Sequence, residues 1–161
     1  MSDARQTDFD LLQKQLALLT DSEPDPLANA ANFVALLYDA MSDINWVGIY
    51  VLRDQDLVLG PFQGKPACVR IALGQGVCGS AAAERKTLRV ADVHDYAGHI
   101  TCDPASRSEL VVPLISERQL LGVLDIDSPY PNRFSEQDQA GVETTCTTFV
   151  RIIEAQGTGF I

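Results

Sequence analysis

Apolar residues recur with a helical period near both ends of the chain. Between Asp8 and Thr20 four leucines keep this spacing, which predicts an amphipathic helix. Pro24 and Pro26 then interrupt the pattern, and a second helix is predicted from about Leu27 to Met41. A last helix is predicted to begin near Ser135, where a serine cap precedes an acidic residue three positions on.

The middle of the chain has the composition and alternation of β-strands. In "NWVGIYVLR", Trp46 and Tyr50 fall on the opposite face from the aliphatic residues between them, because side chains alternate across a strand. Further strands are predicted at "DLVLGPFQG", at "ACVRIAL" (which carries Cys68), at "TLRV", and in a hairpin of "ELVVPLI" with "LLGVLDIDS". The glycine-rich "GQGVCGSAAAER" predicts a short helix holding Cys78.

This order of elements predicts an α+β fold, an antiparallel sheet of about six strands with helices packed on one face. We expect one domain over residues 1–161. Its N-terminal helices occupy 1–43, the sheet with its inserted helix and a long loop occupies 44–134, and the C-terminal helix occupies 135–156.

The net charge of the chain limits the kinds of molecule that we expect it to bind. A formal net charge of −10 and a pI near 4.4 argue against nucleic acid and anionic membranes, and favour cationic or zwitterionic small ligands. No apolar run reaches the roughly 20 residues of a membrane span. The first ten residues lack the pattern of a signal peptide, so we expect a cytoplasmic protein.

The four cysteines have different surroundings. No CxxC pair is present, and a reducing compartment disfavours a structural disulfide framework, which leaves core thiols, metal ligands or redox groups. Cys146 lies on an apolar helical stripe and is predicted to be a core thiol. Cys102 lies in the irregular segment 91–107, and loops of that length are usually functional or disordered.

Acidic residues end the face of a predicted strand. Leu121, Val123, Asp125 and Asp127 are expected to share one face, and the hairpin brings Glu109 to the level of the two aspartates. Solvated strand ends would explain these charges equally well. If the three carboxyl groups converge, at least one pKa should rise, as a proton donor at neutral pH requires.

Other candidate residues carry weaker signals. Trp46 and Tyr50 are either core residues or the wall of a pocket for a small cation. His94 and His99 are expected at the surface, and a metal site with Cys102 lacks a full ligand set. We expect neither a metal nor a cofactor. The "GQGVCG" turn could hold a carboxylate at a helix start, although plain turn chemistry also accounts for it.

Taken together, "NWVGIY", "GPFQGKPACVRI", "GQGVCG", "HITCDPASRSELVVPL" and "GVLDIDS" resemble the free methionine-(R)-sulfoxide reductases, which are single GAF-domain enzymes. The resemblance covers nearly all of residues 30–150. It implies that Cys102 is the catalytic cysteine and that Cys68 and Cys78 are its resolving partners. The acidic substrate-binding and proton-donating positions match Glu109, Asp125 and Asp127, and the aromatic wall matches Trp46 and Tyr50.

The resemblance also implies a reaction. Free methionine-R-sulfoxide would be reduced to methionine, a sulfenic acid on Cys102 would condense to a disulfide, and thioredoxin would regenerate the thiols. A homodimer is possible. Which of Cys68 and Cys78 resolves first, and which carboxyl group is the acid, stay open. The main alternative is a GAF domain that senses a small ligand, while a zinc hydrolase or a scaffold explains fewer residues.

Overall fold

The computed structural model describes residues 6–157 and 160–161. Six antiparallel strands form one sheet in the order β3-β2-β1-β6-β5-β4. Its strands are β1 (Trp46–Arg53), β2 (Asp56–Gly64), β3 (Arg70–Ala72), β4 (Leu88–Val90), β5 (Ser108–Ser116) and β6 (Gln119–Ser128). The predicted α+β class and the strand number are confirmed. Within the described ranges, none of the helices has both the length and the apolarity that a bilayer crossing demands.

Four helices complete the fold, and polar side chains begin three of them. They are α1 (Phe9–Thr20), α2 (Pro26–Ala40), α3 (Gly76–Glu84) and α4 (Glu136–Gln156), with a short 3-10 helix at Val93–Asp95. Asp8 and Asp25 accept hydrogen bonds from the first-turn amides of α1 and α2. Ser135 and Asp138 form a capping box, as the sequence predicts.

The three long helices cover one face of the sheet. Leu16, Phe33 and Phe149 are fully buried there, and the two phenylalanine rings stack 4.3 Å apart. Val47 and Ile49 supply the sheet side of this core. Cys146 is buried within it, which confirms its prediction as a core thiol.

The opposite face carries the short helix α3. Trp46 and Tyr50 project into a second apolar cluster there, together with Val77 and Cys78 from α3. This confirms that the aromatic and aliphatic sets of β1 face opposite ways. The candidate site residues of the sheet therefore lie on the α3 face, away from the three-helix core.

Two details of the strand predictions are wrong. Cys68 lies in the loop 65–69 before β3, where its carbonyl accepts a hydrogen bond from the Tyr50 hydroxyl. Leu121 packs against the three-helix core instead of sharing a face with Val123. The register shift after Leu114, which pairs Ile115 with Leu120, leaves Leu121 without a partner on β5 and breaks the alternation.

Gly48 lies between Trp46 and Tyr50 on β1, where a side chain has no room. A Cβ at this position would lie 2.2 Å from the Trp46 ring and 2.7 Å from Cβ of Phe62. We therefore expect Gly48→Ala to lower the free energy of unfolding by about 1–3 kcal/mol and to displace the indole, measured by urea unfolding and tryptophan fluorescence.

Gly74→Ala is the matched control for that substitution. Gly74 has open space around it but a φ of +84°. Its replacement should cost about 1 kcal/mol through backbone strain alone and leave the fluorescence unchanged. Equal fluorescence of wild type and Gly48→Ala would contradict the packing argument.

Candidate active site

A cleft of about 530 Å³ opens on the α3 face of the sheet. The first turn of α3 and the loop 91–107 (the active-site loop) form its rim, and the ends of β1, β5 and β6 form its floor. Of the eight predicted site residues, seven line it: Trp46, Tyr50, Cys78, Cys102, Glu109, Asp125 and Asp127. The eighth, Cys68, is bonded to Cys102 at its edge.

Strand pairing brings the acidic residues together. Glu109 on β5 lies directly opposite Asp127 on β6, as the hairpin predicts. On the other side of β6, Trp46 pairs with Asp127 and Gly48 pairs with Asp125. The two aspartates therefore lie between β1 and β5 on one face, at the floor of the cleft.

Burial makes these carboxyl groups hard to ionise. Glu109 and Asp125 each expose only 6% of their surface. Desolvation, followed by the nearby charges of Asp125 and Asp127, raises the pKa of Glu109 well above its usual range. Burial also raises the pKa of Asp127, and that of Asp125 to about 6. The cluster therefore retains protons near neutral pH or requires a cation.

Asp125 has the most demanding environment of the three. Its Oδ1 is buried and has no hydrogen-bond partner among the described residues. Burial raises its pKa and outweighs the neighbouring Cys78 and Glu109 side chains, which act to lower it. A ligand that donates a hydrogen bond to this oxygen would remove an unfavourable desolvation cost.

Cys78 lies in the first turn of α3 at the bottom of the cleft. Its thiol points to Glu109 Oε1 at 3.7 Å. Complete burial, and then the charge of Asp125, raises the pKa of this thiol well above its usual range. Cys78 is therefore a neutral thiol, and a neutral thiol is a poor nucleophile.

Cys68 and Cys102 form a disulfide across 34 residues, with their Cα atoms 5.5 Å apart. Cys68 comes from the loop between β2 and β3, and Cys102 comes from the active-site loop. Both residues are half-buried, and only Cys102 lines the cleft. The bond therefore joins two loops at the mouth of the cleft.

The active-site loop is attached at both ends. Arg107 donates to Asp92 at 2.6 Å, and this hydrogen bond lowers the pKa of Asp92 to about 2. The Val93 amide donates to the Arg107 carbonyl at 2.7 Å. Cys102 lies between these anchors, on a segment without strand or α-helix.

Two aromatic rings form one wall. Trp46 and Tyr50 are almost fully buried, with ring centroids 5.9 Å apart, and Phe62 stacks on the other side of Trp46. The indole N–H donates to the Lys65 carbonyl, and the Tyr50 hydroxyl donates to the Cys68 carbonyl, each at 3.0 Å. The rings are thus fixed, and Tyr50 positions the backbone of Cys68.

His99 is a cleft residue that the sequence prediction placed at the surface. Its side chain is only 15% exposed, and its Nε2 lies 3.9 Å from Glu109 Oε2. Burial lowers its pKa, and His94 adds to the effect. The signal available in the sequence was its position three residues before Cys102. His94 is 62% exposed, as expected.

A metal ion would find a different ligand set from the one that the sequence suggested. Ligand atoms of Cys78, Glu109 and Asp125 lie within 4.8 Å of one another, all buried. Cys102, the cysteine considered for a site with His99, is instead bonded to Cys68. The arrangement suits a small cation of any kind, including an ammonium group.

Comparison with known proteins shows the family to which the chain belongs. The GAF domain family matches residues 25–153. The chain is 48% identical over 142 residues to the free methionine-R-sulfoxide reductase of Escherichia coli (strain K12), covering 88% of this chain and 86% of that protein.

Solved structures give the same result. The reduced form of "fRMsr" of Staphylococcus aureus matches with a TM-score of 0.88 at 48% identity, covering 97% of this chain and 99% of that chain. The free methionine-R-sulfoxide reductase of Neisseria meningitidis, solved in complex with its substrate, matches with a TM-score of 0.88 at 39% identity, covering 92% and 90%.

The buried carboxyl groups predict a pH-dependent stability. The pKa of Asp125 is about 6 in the folded state and about 3.9 in an unfolded chain, so the folded state binds more protons between these values. The free energy of unfolding should therefore fall as pH rises from 4 to 7. Asp125→Asn should remove up to about 3 kcal/mol of that fall, measured by urea unfolding across the range.

Asp39→Asn, on the exposed surface of α2, is the control. Its pH profile should follow that of the wild type. Parallel profiles for the wild type and Asp125→Asn would show that Asp125 ionises as easily in the folded state as in the unfolded state.

Proposed function

The chain belongs to the free methionine-R-sulfoxide reductase family of GAF-domain proteins, and on this premise we propose a thiol–disulfide mechanism for its reduction of free L-methionine (R)-S-oxide. In this mechanism Cys102 attacks the substrate, Cys68 resolves the oxidised cysteine, and thioredoxin regenerates both thiols. The observation that carries the proposal is the Cys68–Cys102 disulfide at the mouth of a cleft with three buried carboxyl groups.

The chemical step needs a nucleophile and an acid on the same side of the sulfoxide. The Cys102 sulfur attacks the sulfoxide sulfur, and a carboxyl group protonates the oxygen, which is otherwise a poor leaving group. Glu109 and Asp127 face each other across the β5–β6 ladder with raised pKa values. We assign them to hold the proton that reaches the oxygen. The protonated oxygen takes up a second proton and leaves as water, which gives a thiosulfonium joining Cys102 and methionine. Water then attacks the Cys102 sulfur, the S–S bond breaks, methionine leaves with the electron pair, and Cys102 becomes a sulfenic acid.

The resolving step favours Cys68 over Cys78. The Cys68 sulfur is bonded to Cys102, whereas Cys78 is free, buried and held in a neutral form. Attack by Cys68 on the sulfenic acid forms the disulfide and releases water. Cys78 then acts through its hydrogen bond to Glu109 and does not exchange sulfur.

Recognition of the free amino acid follows from the charges of the cleft. The ammonium group would pair with Asp125, whose Oδ1 has no other partner in the described part of the chain. The first turn of α3, at Gly76 and Val77, would receive the carboxylate, because helix N-termini favour anions. Trp46 and Tyr50 would enclose the methylthio end. A peptide-linked methionine offers neither charge, and sites built around polar partners reject such analogues.

A coupled assay with free methionine-R-sulfoxide, thioredoxin, thioredoxin reductase and NADPH tests the nucleophile. Cys102→Ser should lower the rate of NADPH consumption by on the order of 10³-fold or more, because a hydroxyl does not replace the thiolate. Cys146→Ala, which removes a free cysteine buried in the three-helix core, should retain the wild-type rate. Comparable rates for Cys102→Ser and wild type would remove Cys102 from the chemistry.

Single-turnover measurements separate the two candidate resolving cysteines. Cys68→Ser should release one methionine per chain without added reductant and then stop, with thioredoxin-linked turnover reduced at least about 100-fold. Cys78→Ser removes one weak hydrogen bond worth about 1 kcal/mol, so its turnover should fall by less than about tenfold. The opposite ranking of the two variants would make Cys78 the resolving residue.

A further inference from the structure

The two sulfurs of the Cys68–Cys102 disulfide face different surroundings, and we propose that the protein reductant attacks Sγ of Cys68 from outside the cleft. Cys102 is then the leaving group and is released into the cleft. This inference rests on the proposed function, because it concerns the regeneration of the same disulfide.

Access is the first argument. Cys102 lines the cleft, as do Pro66 and Ala67 of the loop 65–69, whereas Cys68 and Val69 of that loop do not, and Val69 is 64% exposed. The 530 Å³ of the cleft include space open to solvent, and the room left between its walls is about 40 Å³, too little for a loop of another protein. A macromolecular thiol therefore reaches the disulfide from the side of Cys68.

Charge is the second argument. The attacking group is a thiolate, and the described residues that line the cleft offer it carboxyl groups but no lysine or arginine. In the sequence, the exposed Lys65 and Arg70 flank Cys68, although Arg70 also contacts Asp56 at 3.4 Å. In a chain with a net charge of −10, this short segment is locally basic and attracts an anionic nucleophile.

The apolar surface around the disulfide is the third argument. Val69, which follows Cys68, is exposed outside the cleft, and Ile100, which is 38% exposed, lies at the rim of the cleft two residues before Cys102. Exposed apolar side chains beside a reactive group are typical of protein contacts. Together with Lys65 they form what we call the reductant surface, suited to a dithiol protein with an apolar rim and an acidic or neutral exterior.

The thiol–disulfide exchange consists of two successive displacements at sulfur. The reductant thiolate bonds to Sγ of Cys68, the Cys68–Cys102 bond breaks, and Cys102 takes the electron pair and then a proton. The second thiol of the reductant then attacks the mixed disulfide, which releases Cys68 and leaves the reductant oxidised. Cys102 is thus reduced in place, inside the cleft, before the reductant leaves.

Trapping of the mixed disulfide tests the proposal. Oxidised protein would be mixed with a thioredoxin whose second active-site cysteine is serine, and the adduct would be digested and mapped by mass spectrometry. We expect thioredoxin bonded to the Cys68 peptide, with Cys102 free and alkylated by iodoacetamide. An adduct mainly at Cys102 overturns the proposal, and so does the absence of a Cys68 adduct under conditions in which intact thioredoxin reduces the disulfide.

Substitution of the reductant surface is a second test. Val69→Asp and Lys65→Glu should each raise the KM for thioredoxin about tenfold. The ratio of the thioredoxin-supported rate to the dithiothreitol-supported rate should fall by the same factor. Lys86→Glu, exposed beyond the far end of α3, is the matched control and should keep the wild-type ratio. Unchanged ratios in both surface variants overturn the docking surface.

The rate measured with dithiothreitol in place of thioredoxin distinguishes a failure of this inference from a failure of the proposed function. If dithiothreitol supports turnover while thioredoxin does not reduce the disulfide, the reductase chemistry stands and the docking proposal is overturned. If neither reductant supports turnover of free methionine-R-sulfoxide, the proposed function itself fails.

Discussion

Three carboxyl groups share the floor of one cleft, and the described residues that line it include no lysine or arginine. Strand pairing places the three carboxyl groups close together, because Glu109 lies opposite Asp127 across the β5–β6 ladder. Asp125 lies on the same face of β6 as Asp127. The repulsion must be relieved by protons or by a cation. The same arrangement therefore lowers the stability of the empty fold at neutral pH, and in the mechanism we propose it provides an acid for the sulfoxide oxygen and a partner for an ammonium group.

The active-site loop supplies the freedom of movement that the rigid sheet lacks. A sulfur that meets first a substrate and then a second cysteine must change position, and a side chain on a paired strand could not do so. The loop is anchored where Arg107 contacts Asp92 and where the Asn132 amide donates to the Ala91 carbonyl. Between these points the chain is irregular. In the mechanism we propose, the acids on the sheet are held in fixed positions, and the nucleophile on the loop is able to move.

Much of the fold could be predicted because its signals are local. The Ser135–Asp138 cap and the alternation along β1 both follow from neighbouring residues and agree with the structure. The errors have distant causes. Cys68 is kept out of β3 by contacts with Tyr50 and Cys102, and Leu121 changes face because of a register shift. The burial of His99 depends on how the active-site loop folds against Glu109, and the spacing of His99 from Cys102 does not by itself specify that contact.

The contrast between Cys78 and Cys102 shows how position decides the chemistry of a thiol. A cysteine in the first turn of a helix usually has a lowered pKa, but that effect is worth only about 0.3–1 kcal/mol, rising to about 2 in partly buried sites. Full burial can shift a pKa by about 3–5 units, which is several kcal/mol, and the neighbouring carboxyl groups act in the same direction. Desolvation therefore outweighs the helix dipole at Cys78. The cysteine nearest the acids is kept protonated and donates a hydrogen bond to Glu109. The sulfur to which we assign the reaction is carried by the loop, where it can approach substrate without being permanently enclosed among the acids.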